Sequence, residues 1–153
     1  MENTLRKFIP EIQLIVTIKD KPDVYYKMTR SADAYEMAKE VFNKGTMMFK
    51  EEAFLICLNK ANKAIGWYMI SSGGVSGTIM DPKVVFTLCL NCPGTSHFVI
   101  MHNHPSGNLQ PSEADKQITV KLRDGGRILD LFMLDHLIVT PDGYTSMADE
   151  GIL

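Results

Sequence analysis

The sequence is poor in most of the features that announce a function directly. It has only three cysteines, Cys57, Cys89 and Cys92, an odd number set in apolar segments. That excludes a disulfide framework and fits a reducing cytoplasm. Cys89 and Cys92 have Cys-x-x-Cys spacing, but no second pair completes a zinc ribbon, so both read as small buried hydrophobes. No apolar run approaches the roughly 20 residues that cross a bilayer, so no membrane partner is expected. Residues 1–8 lack the apolar core and cleavage site of a secretory signal. An excess of positive charge is also missing. Lys and Arg number 16 against 18 Asp and Glu, a net charge of -2, which does not support a nucleic-acid partner. The glycine-rich stretch 73–78 has no Lys-Ser/Thr pair, so it reads as a loop rather than a phosphate cradle.

What is present is ordinary globular composition, 45% hydrophobic and 22% charged, enough for one packed core. With no repeats and no linker, residues 1–153 read as one domain, with a core over about 30–153 and an N-terminal hairpin over 1–30. Alternation at Ile12, Leu14, Val16 and Ile18 predicts a strand, and Val24–Met28 a returning one. Ser31 is placed to cap a helix running to about Lys44, stopped by Gly45. Residues 53–58 are short and continuously apolar, which predicts a strand buried on both faces. Residues 65–72 form the next strand, with Trp67 as its largest anchor. Asp81-Pro82 starts a helix with Val84, Val85, Leu88 and Cys89 inward. Residues 97–101 are another buried strand. A helix over about 113–124 has Ala114, Ile118 and Leu122 inward and is closed by Gly125-Gly126. Extended runs follow at 132–134 and 136–139, then a turn at 141–143 and a short segment at 144–146. Interleaved strands and helices with hairpins predict an α/β (α+β) class, a single mixed sheet flanked by helices.

The chemistry concentrates in the run 102–115. His102 and His104 follow a strand, and strand side chains two apart share a face. Ten residues separate His104 from Asp115, with Ser112 three before it. Two histidines and one aspartate leave a fourth position open, the pattern of a catalytic zinc. Ser112 and Asp115 also read as a capping box at a helix start, a role compatible with the other. A hydrolytic site needs a base near the water, and Glu51 and Glu52 stand just before strand 53–58, where they also read as a solvated acidic pair. Asp135-His136 reads as a strand-end polar pair rather than a support for the ligands, and His97 as structural or exposed.

These blocks resemble the JAB/MPN metalloenzyme domain of the RadC type. The matching residues are Glu52-Ala53-Phe54, Gly77-Thr78-Ile79-Met80-Asp81-Pro82, His102-Asn103-His104-Pro105-Ser106-Gly107, Pro111-Ser112-Glu113-Ala114-Asp115 and Asp135-His136-Leu137-Ile138-Val139. The resemblance implies a cytidine-deaminase-like fold and the JAMM motif of a zinc metalloprotease. It implies His102, His104 and Asp115 as Zn2+ ligands, Glu52 as general acid/base with Glu51 in reserve, and Ser112 as oxyanion donor. The implied activity is hydrolysis of a peptide or isopeptide bond in a protein or peptide substrate.

Two other readings accompany it. A RadC-like protein could be a DNA-repair or mobile-element accessory protein that binds nucleic acid. RadC proteins, however, carry an N-terminal helix-hairpin-helix region, and the fifty or so residues before Glu52 do not read as one. The third reading is a zinc-stabilised protein-interaction module.

Overall fold

A computed structural model describes residues 10–73 and 80–153 of the chain. The glycine-rich connection beyond Gly73, and the Gly77–Ile79 part of the motif, lie outside the described residues. The elements run α1 (Ser31–Val41), β1 (Glu52–Leu58), β2 (Ala64–Ser72), α2 (Pro82–Asn91), β3 (His97–Asn103), α3 (Glu113–Ile128), β4 (Phe132–Thr140) and β5 (Gly143–Ser146). The five strands make one sheet in the order β2-β1-β3-β4-β5. β1 is antiparallel to β2 and β3, β3 is parallel to β4, and β4 is antiparallel to β5. The class is α/β with one mixed sheet. Among the described residues, no helix is long and apolar enough to cross a membrane.

Alternation along the strands feeds two cores. Phe54, Ile56 and Leu58 of β1, with Val99 and Met101 of β3, pack under α1 against Ala34, Ala38 and Phe42. Ala53, Leu55 and Cys57, with Phe98 and Ile100, face α2 and α3 and meet Val85, Cys89 and Leu122. Every residue of β1 is therefore buried, which is why its sequence is continuously apolar after Glu52. Removing Phe54, which meets the edge of the Phe42 ring at 4.6 Å, would cost about 3–5 kcal/mol. Among the elements that position the site, α2 starts where expected, with the Asp81 side chain accepting from Lys83 N at 2.8 Å. The parallel β3–α3–β4 crossover matters most for function. It brings the first turn of α3 to the carboxyl end of β3, the position at which open α/β sheets build their sites.

Several expectations fail, each for a physical reason. Among the described residues the N-terminal hairpin does not form: residues 12–18 make no strand, and Ile12 is 90% exposed. Alternation gives a stable strand only where a partner strand pairs with it, and a lone hairpin is marginal in water. Lys27 makes an isolated antiparallel bridge with Lys63, flanked by hydrogen bonds from Ala64 N to Tyr26 O and from Met28 N to Asn62 O. The cap of α1 is Arg30, and the Ser31 hydroxyl instead donates to Asp149 Oδ2 at 2.6 Å. Trp67 is 59% exposed because β2 is an edge strand. Val84 and Ala114 are exposed rather than inward. Residues 132–140 are one strand, not two runs.

The glycines at 125–126 do not close α3, which continues to Ile128. They are there for space. A Cβ on Gly126 would sit 2.4 Å from the Leu131 carbonyl oxygen and 3.1 Å from the Phe98 ring. One on Gly125 would meet the Phe86 ring at 2.9 Å.

Candidate metal centre

β3 presents Phe98 and Ile100 to the α2/α3 side, and His102 is the next residue in that alternation. It is fully buried. His104 lies just past the strand, yet its N–H still reaches Val139 O of β4 at 3.3 Å, which extends the strand's direction by one more residue. The chain then turns sharply. Gly107 takes φ 76°, where a side chain would be strained, and its N–H donates to His104 O at 3.0 Å. This turn returns Asn108 O to 2.6 Å from His104 Nδ1. A carbonyl can only accept, so Nδ1 carries the proton and His104 Nε2 is left as a bare lone pair.

Asp115 arrives from the other side, on the first turn of α3. Ser112 caps that helix: its Oγ accepts from Asp115 N at 3.1 Å. Reciprocally, Asp115 Oδ2 accepts from Ser112 N at 2.8 Å and from Ser112 Oγ at 2.6 Å. The capping box and the candidate metal donor coincide in one carboxylate, because the cap fixes the rotamer that points Asp115 at the histidines.

The three side chains each offer a donor atom, and all three donors lie within 4.8 Å of one another. His102 Nε2 is 2.9 Å from His104 Nε2. It is 3.2 Å from Asp115 Oδ1, and His104 Nε2 is 3.5 Å from Asp115 Oδ2. Ligands at about 2.0–2.1 Å from a tetrahedral zinc stand about 3.3 Å apart. The two imidazole nitrogens and the nearer carboxylate oxygen to each are close to that spacing, and one donor from each residue lies within 4.8 Å of the others, so the three residues could hold such an ion.

The electrostatics agree. Burial alone would raise the Asp115 carboxyl, but its close contacts with the His102 and His104 rings outweigh it and hold the group well below the usual carboxylate range. The Asp115 carboxylate in turn raises the His104 pKa above its ordinary value, against the opposing effect of burial.

Three supporting residues escape a reading by motif. His136 does not behave as a strand-end polar residue: it is fully buried, and its Nε2 lies 2.8 Å from His102 Nδ1. Burial holds its pKa well below the ordinary histidine value. Thr119, one turn after Asp115, bonds His136 from behind at 2.6 Å. The available signal was a histidine within the apolar run Leu134–Val139, since a buried polar ring must find partners. Asp135 does act structurally, binding the Ser146 hydroxyl at 2.6 Å and the His136 N–H at 2.7 Å. His97 likewise bonds Asn62 Oδ1, at 2.7 Å.

The third is Asn103, between the two ligands. Its side chain points to the α1 side and is fully buried. It accepts the Glu52 N–H at 2.8 Å and donates to Met47 O at 2.8 Å and Lys50 O at 2.9 Å. Glu52 thus starts β1 tied to the residue between the histidines, and Ala53, its neighbour, is in register with His102. Glu52 is 3% exposed, and its Oε1 is held by Lys50 Nζ at 2.6 Å and, more loosely, by Ser72 Oγ at 3.5 Å. Glu51 is half-buried, and its carbonyl takes the Gly73 N–H. The structure therefore brings His102, His104, Asp115 and Ser112 into one cluster and sets Glu52 at the end of the adjacent strand.

Fold and donor set together define a class: an α/β domain able to hold a divalent metal between two histidines and an aspartate at the carboxyl end of its sheet. The comparisons narrow it further. Residues 28–152 match the RadC-like JAB domain, and the chain belongs to that family. It is 44% identical over 126 residues to a UPF0758 protein of Flavobacterium johnsoniae, covering 82% of this chain and 53% of that protein. A UPF0758 protein of Salinibacter ruber is 34% identical over 134 residues, covering 88% and 50%. The chain spans about half the length of the curated relatives it matches.

Proposed function

We propose that this domain is a zinc-dependent hydrolase that cleaves a peptide or isopeptide bond in a protein or peptide substrate. The observation that carries the reading is the grouping of His102, His104 and Asp115, with one donor atom from each within 4.8 Å of the others, beside a strand that starts with a buried glutamate. Zinc held by these three residues would polarise a carbonyl and bring the pKa of water toward about 7.

The remaining chemistry falls to the chain. Glu52 takes a proton from the attacking water as its oxygen bonds to the carbonyl carbon, and passes that proton to the leaving nitrogen as the C–N bond breaks. Lys50 fixes one oxygen of that carboxylate. Ser112 has a single hydroxyl proton, which rests on Asp115 Oδ2. To donate to a developing oxyanion the hydroxyl turns away, and the Ser112 N–H keeps hold of Asp115. The loop carrying Asn108 and Ser112 continues along a cavity of about 190 Å³ lined by Gln110, Pro111, Lys116, Thr145, Glu150 and Ile152.

The test is a proteome-derived peptide library digested by the zinc-loaded domain and by Glu52→Gln. New peptide ends produced by the wild type and lost in the variant support the reading. Equal, background-level cleavage by both would reject it.

A further inference from the structure

Behind the three donors runs a buried chain of polar groups, from α3 through β4 to β3. Thr119 Oγ1 lies 2.6 Å from the Asp115 main-chain carbonyl oxygen and 2.6 Å from His136 Nδ1. Met147 Sδ is 3.0 Å from the same oxygen. His136 Nε2 is 2.8 Å from His102 Nδ1. Thr119, His136 and His102 are all 0% exposed.

The protons along this chain follow by elimination. A carbonyl oxygen carries only lone pairs, so an O···O contact of 2.6 Å is attractive only if Thr119 donates its one proton to Asp115. The thioether is a weak acceptor and does not compete. The Thr119 oxygen therefore meets His136 as an acceptor, and His136 Nδ1 bears a hydrogen. A charged ring with no exposed surface would be costly, so His136 is neutral and its Nε2 is an acceptor. That acceptor faces His102 Nδ1, which must then carry the hydrogen. His102 Nε2, the atom aimed at His104 and Asp115, is left bare.

We propose that Thr119 and His136 are positioning residues that lock His102 in its Nδ1–H tautomer, so that Nε2 reaches the metal as a lone pair. The lock has a competitor to overcome. Asp115 Oδ1 lies 3.2 Å from His102 Nε2 and on its own favours the opposite tautomer, whose Nε2–H would block the metal. The first turn of α3 thereby sets two donors at once: Asp115 gives its carboxylate to the site, and its carbonyl anchors the chain that prepares His102. Such outer partners commonly decide ligand orientation and basicity.

This inference rests on the metal-binding reading, and the experiment separates the two. Long-range 1H–15N spectra of zinc-loaded, histidine-labelled wild type should show a hydrogen on Nδ1 of both His136 and His102. A hydrogen on His136 Nε2 overturns the inference. Cobalt titration should show Thr119→Val binding about 10–100-fold more weakly and Thr119→Ser near wild type. Wild-type affinity in Thr119→Val also overturns it. Should that variant fail to fold, the wild-type spectrum still decides. A wild type that takes up neither metal removes the metal-site reading and this inference with it, whereas normal uptake with the other tautomer removes the inference alone.

Discussion

Asn103 offers the sharpest test of how the sheet assembles the site. Its amide is the shared partner of three main-chain groups: Glu52 N–H, Met47 O and Lys50 O. Replacing it with alanine leaves all three without it. A hydrogen bond contributes about 0.5–1.5 kcal/mol net, and a buried group left unpaired costs about 1–3 kcal/mol. The bonds to Glu52 N and Met47 O are buried, whereas the one to Lys50 O is partly exposed and can be replaced by water. Two groups at the full penalty and one at a small one give about 3–5 kcal/mol. Denaturant unfolding should show the unfolding free energy falling by that amount, through a lower midpoint with an unchanged slope. Amide exchange should localise the loosening to residues 47–52, the approach to β1, with α3 still protected. Because the donors stay on β3 and α3, metal uptake should survive while hydrolysis falls through loss of a fixed Glu52. A loss under about 1 kcal/mol, or protection lost evenly across the sheet, would refute the reasoning.

Three further perturbations separate fold from site. Gly126→Ala gains about 1 kcal/mol in helix propensity but forces a Cβ to within 2.4 Å of the Leu131 carbonyl, so thermal unfolding should show net destabilisation of about 2 kcal/mol; a more stable variant contradicts the packing account. Ser112→Ala removes the α3 cap and one hold on Asp115 Oδ2, and should cost about 1 kcal/mol in chemical unfolding while lowering activity well beyond that; unchanged activity would remove Ser112 from the mechanism. The third concerns pH. Because the His104 pKa is raised by Asp115, its proton persists to higher pH than usual and must be displaced by the metal. Competition titrations should find affinity level above that raised pKa and falling about tenfold per unit below it; the metal-free fold, conversely, loses the His104–Asp115 pair as pH rises through the same pKa. PH-independent affinity across that range would contradict this.

Patterns that report a local physical requirement were legible from residues alone. The continuous apolar run of β1 meant burial on both faces, Asp81-Pro82 meant a helix start, and His102-x-His104 at a strand exit meant two imidazoles on one side. The capping box was legible too, although that it also aims Asp115 at the histidines shows only in three dimensions. What was not legible depended on distant neighbours. Gly125-Gly126 looks like a helix stop, but the demand for space comes from Phe86, Phe98 and Leu131. Residues 12–18 alternate like a strand, yet they lie exposed and form none. Trp67 looks like a core anchor, but strand order puts β2 at the edge. Asn103 and His136 sit inside recognisable blocks, yet their roles depend on which residues the β1–β3 and β3–β4 pairings set beside them.

The central claim is that this domain holds one zinc through His102, His104 and Asp115. Elemental analysis of the protein, loaded from a mixture of zinc and iron and then dialysed, tests it most directly. One zinc per chain, lost in His102→Ala and in Asp115→Ala with both variants still folded, is the predicted result. Substoichiometric metal, a preference for iron, or zinc retained in both variants would contradict it.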